Sequence, residues 1–395
     1  MPQISVWMGR AHRLLPPVMA DIGERNAQGA PCVLLVPEQF TLQAERELLD
    51  RLHINGFFTI EVLSPSRFGQ RVLAAVGTDE REPLTAPGRQ MAVSVALERC
   101  EKHLRFYASA ARRRGFADKL ATLIADLKRG SLTPQQLVEY AQTLPEGMRR
   151  AKLTDIATLY AAYADVLGER FGDSEDQLRY IAARLPECDL LMGKSVYVYG
   201  FDALPQQLME LLCAVGAQCE RLVVALTCEP ETAPDGDLYR PVRQSIQRFA
   251  LALGERGLTM ERVTLPLQAL PCAPAIRHLD DALFALPERR FAGDQQQVFL
   301  TQHMSPFEEA TFASRQILRL CERGMDIERI AVLYPDQNGY AFAVAAAFAD
   351  SGLPFYTDEK LPASAHDGGT IPPRAGHVWA QRRAVSLAIP GVWPF

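Results

Sequence analysis

The feature that most constrains this chain is an alternation of strand and helix signals that stops for about a hundred residues and then resumes. Near the N-terminus, Ile4–Met8 is a short apolar run ending at Gly9, Leu14–Arg25 has helical spacing, and Cys32–Val36 is an unbroken apolar run between Pro31 and Pro37. Such a run suits a strand buried on both faces of a parallel sheet. The spacing then predicts a helix over Thr41–Leu52, a strand over Phe57–Leu63 and a helix over Ser64–Val76 with Pro65 in its first turn. From Ala86 to Arg184 only helical periodicity is legible, over 89–100, 116–128, 134–141, 153–170 and 174–185. Strands return at Ser195–Tyr199 and Arg221–Thr227, each followed by a helix, over 205–215 and 242–255. This pattern predicts an α/β fold with a mainly parallel sheet, residues 1–85 and 186–265 forming one domain and residues 86–185 a helical insertion.

A Pro-rich stretch, Leu265–Pro274, reads as a linker. A second α/β unit is expected over 275–366, with strands at Val298–Gln302, Ile330–Tyr334 and Phe355–Thr357 and helices at Phe307–Arg323 and Gly339–Ser351. From 367 to 395 all periodicity is lost, and the segment reads as a tail foreign to the fold.

Composition narrows the function classes. Charged residues make up 23% and hydrophobic residues 48%, which excludes wholesale disorder. No apolar run reaches membrane-span length and no secretory leader is legible, so the chain reads as cytoplasmic and without a membrane partner. The eight cysteines form no CxxC pair and read as small buried hydrophobes. The net charge of −5 does not mark the whole molecule as a nucleic-acid binder, although its basic residues are nearly all arginine, whose planar fork suits phosphate.

Three motifs invite chemistry. Gly193-Lys194-Ser195 ends like a Walker A loop, but position 188 is Cys and the triplet enters a strand, whereas a phosphate loop leaves a strand and opens a helix. The right context exists only at Gly9-Arg10-Ala11-His12-Arg13, which lacks the second Gly, the Lys and the Ser/Thr. It reads as a degenerate nucleotide loop in which Gly9, Arg10, His12 and Arg13 remain, with two arginines able to meet an anion. Pro335-Asp336 with Asp358-Glu359-Lys360 spells a loose nuclease signature that chance also produces. No HExxH or HxH spacing is present, and no metal site is expected. The densest basic–aromatic run is Arg112-Arg113-Arg114, with Phe106 and Tyr107 before it and Lys119, Lys128 and Arg129 after it. Phosphate contact and a solvated helix face are both open readings of it.

The order of several segments carries a family resemblance. Leu34-Leu35-Val36-Pro37-Glu38-Gln39-Phe40-Thr41-Leu42-Gln43-Ala44-Glu45 and Val62-Leu63-Ser64-Pro65-Ser66-Arg67-Phe68 resemble AddB, one of the two components of the AddAB helicase–nuclease and the counterpart of RecC in RecBCD. So do Asp126-Leu127-Lys128-Arg129-Gly130 with Thr133-Pro134, and Val198-Tyr199-Gly200-Phe201-Asp202 with Gln206 and Gln207. Ser305–Glu309, Ile330–Pro335 and Leu353–Tyr356 continue the likeness, which covers about residues 1–366. The resemblance implies a superfamily 1 helicase-like, RecA-like sheet domain with a large helical insertion and the start of a second such domain. It implies a heterodimer with an AddA-type motor subunit, DNA as partner (single strands and duplex ends), and a role in resecting DNA ends for recombinational repair.

The family complex uses ATP and magnesium and carries an iron–sulfur cluster, whose cysteines have no match in this sequence. Where active motors carry Asp-Glu, Asp202 is followed by Ala203, and Pro335 stands where motors have Arg. The expectation is therefore no cofactor in this chain, no catalytic residue, and an AddB-type chain truncated before its nuclease domain. The alternatives are an ATP-binding helicase subunit with an atypical loop, or a nonfunctional fragment. Loops at the C-terminal edge of a parallel sheet are where ligands bind. On that ground Gln39, Arg67, Gln70, Phe201 and Gln206 are DNA-contact candidates, joined by Arg113, Arg114, Lys128 and Arg129 of the helical segment.

Overall fold

The computed structural model describes residues 2–54, 56–77, 81–113, 115–168, 170–266, 272–356 and 386–387. The chain forms two compact units, Met1–Gln268 and Ala269–Phe395.

The first unit is built on a six-stranded sheet. Strands β1 (Gln3–Gly9), β2 (Cys32–Leu35) and β3 (Ile60–Leu63) are followed by a short pair, β4 (Glu82–Pro83) and β5 (Phe171–Gly172), that forms its own two-stranded ladder. Then come β6 (Ser195–Val198), β7 (Arg221–Thr227) and β8 (Glu261–Thr264). The sheet runs β3–β2–β6–β7–β1–β8 with every pair parallel, so all six strands end on one edge.

Period-two alternation sends successive side chains to opposite faces. In β7, Leu222, Val224 and Leu226 join one core while Val223 and Ala225 join the other. Helices α1 (Ala11–Ala27) and α2 (Thr41–Leu52) cover one face through Leu14, Val18, Met19, Ile22, Ala44 and Leu48. The opposite face is covered by α3 (Pro65–Val76), by α8 (Gln177–Arg184), by α9 (Gln206–Gln218) and by α10 (Arg240–Gly254).

Between β3 and β6 the chain leaves the sheet. Helices α4 (Ala86–Cys100), α5 (Phe116–Arg129), α6 (Pro134–Thr143) and α7 (Met148–Leu167) close a separate core around Val93, Ala96, Ile124, Leu159 and Tyr163. Three of the four start on a motif that spares orphan N–H groups or fixes the entry: Thr85 and Thr133 accept from Gly88 and Gln136, and α5 follows left-handed Gly115.

The second unit departs from expectation. Its helices are α11 (Pro274–Ala282), α12 (Pro306–Glu322) and α13 (Gln337–Asp350), but Val298–Gln302 is not a strand. Phe299 and Leu300 stand exposed there, and an extended run with no ladder partner has nothing to satisfy its backbone. The strand expected over 330–334 shrinks to β9 (Ile330–Ala331), which pairs antiparallel with β10 (Ser386–Leu387). Phe355 and Tyr356 are not in a strand. The expected parallel sheet is thus not formed among the described residues of this unit. The rest of the tail, with Asp358, Glu359 and Lys360, lies outside those residues.

Candidate functional site

Two places on the C-terminal edge of the sheet carry the residues singled out from sequence. The first is the junction between β1 and α1. The strand ends at Gly9, Arg10 is the N-cap in extended backbone, and the helix begins at Ala11. A single residue separates strand from helix, whereas a phosphate loop needs enough chain to wrap the anion with successive N–H groups.

The space beyond that junction is filled from within. After β7 the chain enters an acidic segment, Cys228–Tyr239, tied to β1 by the Cys228 N–H donating to the Gly9 carbonyl at 3.0 Å. Arg10 Nη2 donates to Asp235 Oδ2 at 2.8 Å, its Nε lies 3.5 Å from Glu229 Oε1, and its Nη1 donates to the Tyr239 hydroxyl at 3.3 Å. Arg13 Nη1 sits 3.8 Å from the same Glu229 oxygen, and Arg13 Nε donates to His12 Nε2 at 3.0 Å. Arg10, Arg13, Glu229 and Asp235 are all buried.

The reading of Gly9, Arg10, His12 and Arg13 as a loop open to an anion is corrected accordingly. The arginines are there, but two protein carboxylates hold the place that a phosphate would take. Paired carboxylate and guanidinium satisfy each other in low dielectric, and an incoming anion would have to displace Glu229 and Asp235.

The second place is formed by the loops after β2, β3 and β6, which are neighbours in the sheet. Gln39 lies in a tight turn, Glu38–Phe40, directly after β2, and it is exposed. Arg67 and Gln70 lie on the first turns of α3 after β3, both exposed. Ser64 caps α3, its Oγ accepting from the Arg67 N–H at 3.3 Å. Glu38 reaches across from the β2 loop and its Oε1 accepts from the Ser66 N–H at 3.2 Å. Burial pushes the Glu38 carboxyl pKa up, but hydrogen bonds from Ser66 and Ser64 and the Arg67 charge outweigh it, and the net shift is downward. Gly200, after β6, has a φ of +85°, and a Cβ there would meet Pro37 Cδ at 3.2 Å, so a side chain at 200 would push the two loops apart.

The structure brings Gln39, Arg67, Gln70, Phe201 and Gln206 to one sheet edge, with differences. Phe201 is half-buried against the core beneath, and Gln206 Nε2 donates to Glu210 at 3.5 Å. The aromatic face the edge exposes belongs to Phe40, at 38% of its surface, which sequence reasoning passed over. A turn residue directly beyond a fully buried strand was the available signal.

The helical candidates separate. Arg113 is exposed; Arg114 lies outside the described residues. Arg129 is half-exposed and pairs with Glu175 at 3.0 Å and Asp126 at 2.9 Å. Lys128 is corrected: it is buried, with Nζ 3.0 Å from Asp173 and 2.5 Å from Asp176 and over the Tyr163 ring. Its ammonium neutralises an internal carboxylate cluster and reaches no surface. Asp173 also accepts from Arg89 at 2.9 Å and from the Tyr163 hydroxyl at 2.8 Å. Burial raises the Asp173 pKa, but the Lys128 charge, the Tyr163 hydrogen bond and Arg89 together hold it below the ordinary carboxylate value. Next to Gln206, buried Gln207 donates to the carbonyls of Lys128 and Glu175, fastening α9 to the helical segment. No group of metal-binding side chains occurs among the described residues.

With this geometry in hand, comparison with known proteins gives the class. A family model described as "ADDB, N-terminal" matches residues 8–280, and the chain belongs to that family. Among individual relatives it is 30% identical, over 91% of its length, to the AddB component of the ATP-dependent helicase/deoxyribonuclease of Heliobacterium modesticaldum. The corresponding components from Desulforudis audaxviator and Moorella thermoacetica are 32% and 31% identical over 86% and 91% of this chain. The match covers 30%, 30% and 32% of those three proteins, so the chain spans about a third of the length of the relatives it matches.

Proposed function

We propose that this chain is a DNA-binding, structural component of an ATP-dependent helicase–exonuclease that resects double-strand ends for recombinational repair. It works beside an AddA-type motor subunit and hydrolyses no ATP itself. Residues 1–85 and 186–265 act as a helicase-like, RecA-like sheet domain, and 86–185 as a helical module inserted in it. The all-parallel order, with β7 between β1 and β6, supports that reading because a motor sheet likewise separates its phosphate-loop strand from its Asp-Glu strand by one neighbour.

The observation that carries the proposal is the β1–α1 junction. One residue long and neutralised by Glu229 and Asp235, it offers no N–H cradle, no lysine and no hydroxyl for magnesium. What survives at the sheet's edge is a set of amides, Arg67 and the exposed ring of Phe40, the chemistry of sequence-tolerant contact with single-stranded DNA.

Titration calorimetry with ATP and magnesium tests the first half, with no measurable binding expected. Micromolar binding abolished by Arg10→Ala would overturn it in favour of an atypical but working loop. For the second half, Arg67→Ala with Gln70→Ala is expected to weaken binding of a single-stranded oligonucleotide about tenfold at low salt.

A further inference from the structure

Most exposed arginines of this protein whose partners are visible sit beside a carboxylate, as Arg112 does with Glu101 at 2.7 Å. One stretch stands apart. From Arg99 to Lys119 the sequence has seven basic residues and two acidic ones, Glu101 and Asp118, in a chain whose net charge is −5. Lys102, Arg105, Arg113 and Lys119 are exposed there, and none of the four has an ion-pair partner among the described residues.

The stretch joins α4 to α5, and a buried group holds its backbone. The Asp155 carboxylate, 2% exposed on α7, accepts from three consecutive N–H groups: Arg105 at 3.1 Å, Phe106 at 2.8 Å and Tyr107 at 2.9 Å. Burying a carboxylate is costly unless hydrogen bonds satisfy it, and here all its capacity goes into fixing this one turn. The turn presents Phe106, 39% exposed, backed edge-on by Tyr107 with ring centroids 4.8 Å apart, and Tyr107 rests in turn on Phe116 at 5.3 Å. An exposed aromatic ring, braced by two others and ringed by unpaired cations on an ordered turn, has no role in the core of α4–α7.

We infer that residues 101–119 form a second nucleic-acid contact, in which Arg105 and Arg113 bind backbone phosphates and the Phe106 ring stacks on an unpaired base. The inference rests on the DNA-binding reading above but concerns a different surface. Phosphates suit it better than an acidic protein would. The unpaired charges are spread along a curved turn, and the ring between them has an open face that every base can cover.

The test uses the full chain and a fluorescein-labelled oligo-dT of about 20 nucleotides, with affinity read by anisotropy across a salt series. Arg105→Ala with Arg113→Ala is expected to weaken binding about tenfold at low salt and to flatten the log–log salt slope by about 1.4, the share of two phosphates on a single strand. Phe106→Ala is expected to weaken binding at least fivefold and leave the slope unchanged, since stacking releases no counterions. Arg105→Lys with Arg113→Lys keeps the charge and retains the slope, which separates charge loss from misfolding. If the double alanine variant keeps the wild-type slope while Arg67→Ala lowers it, the inference fails and the sheet-edge reading stands. If the wild-type chain binds no oligonucleotide at low salt, both fail.

Discussion

At the residue scale, Arg10 is where structure and chemistry meet most tightly. It leaves the strand as an N-cap without a capping side chain, and its guanidinium bridges Asp235, Glu229 and Tyr239. Removing one member of a buried ion group leaves the others uncompensated, so Arg10→Ala is expected to cost about 3–5 kcal/mol of stability, measurable by urea unfolding. Converting Glu229→Gln and Asp235→Asn together makes the opposite experiment. The arginines then lack counterions at a helix N-terminus, and the melting temperature should fall but rise again with added sulfate, a recovery the wild-type protein will not show. Asp173 gives a pH test. Its carboxyl titrates below the ordinary value in the folded state, so its stabilisation is present above about pH 4 and is lost as pH falls through the depressed folded value. Asp173→Asn should lower stability at pH 7 by a few kcal/mol and flatten the acid limb of a melting-temperature profile.

At the scale of elements, packing across the sheet rests on small residues as much as large ones. Gly69 on α3 faces Ile181 of α8 so closely that a Cβ would overlap its side chain, and Ile181 is fully buried. Gly69→Val is therefore expected to cost about 1–3 kcal/mol in thermal or denaturant unfolding.

The elements of the first unit were largely legible. Cys32–Leu35 and Arg221–Thr227 are short apolar runs between breakers, and the helical stretch over 86–184 is continuous because its periodicity is. What sequence missed were elements whose cause is not local. Strand β8 carries exposed Glu261 and Arg262 and exists because β1 offers it an edge. The expected strand at Val298–Gln302 is apolar enough but has no ladder to join. The candidate site was legible in position and not in occupancy. Strand-to-helix order placed Gly9–Arg13 and the loops with Gln39 and Arg67 on one edge. That Glu229 and Asp235 close over the arginines from more than two hundred residues away, or that Lys128 turns inward to Asp173, depends on tertiary contacts that no local pattern announces.

At the scale of the whole molecule, the cysteines report how the chain is packed. All eight are free, and Cys32, Cys100, Cys213, Cys219 and Cys228 are buried. Burial pushes the Cys32 and Cys213 thiols up to about 11 and Cys219 up to about 12. Iodoacetamide at about pH 8 should modify half-exposed Cys188, Cys272 and Cys321 first, and the buried thiols only after guanidinium unfolding, as mass spectrometry of labelled peptides would show. No helix among the described residues is long and apolar enough to cross a membrane.

The shortness of the β1–α1 connection has a consequence for ancestry and for engineering alike. β1 is hydrogen-bonded along its length to β7 and clamped by β8, and α1 starts one residue later with Leu14, Val18 and Ile22 already set in the core. Regaining a triphosphate grip would thus require lengthening the backbone between two immovable elements while the acidic cover is withdrawn. Point substitution cannot supply that, so a lineage that has crossed to this state has no gradual way back.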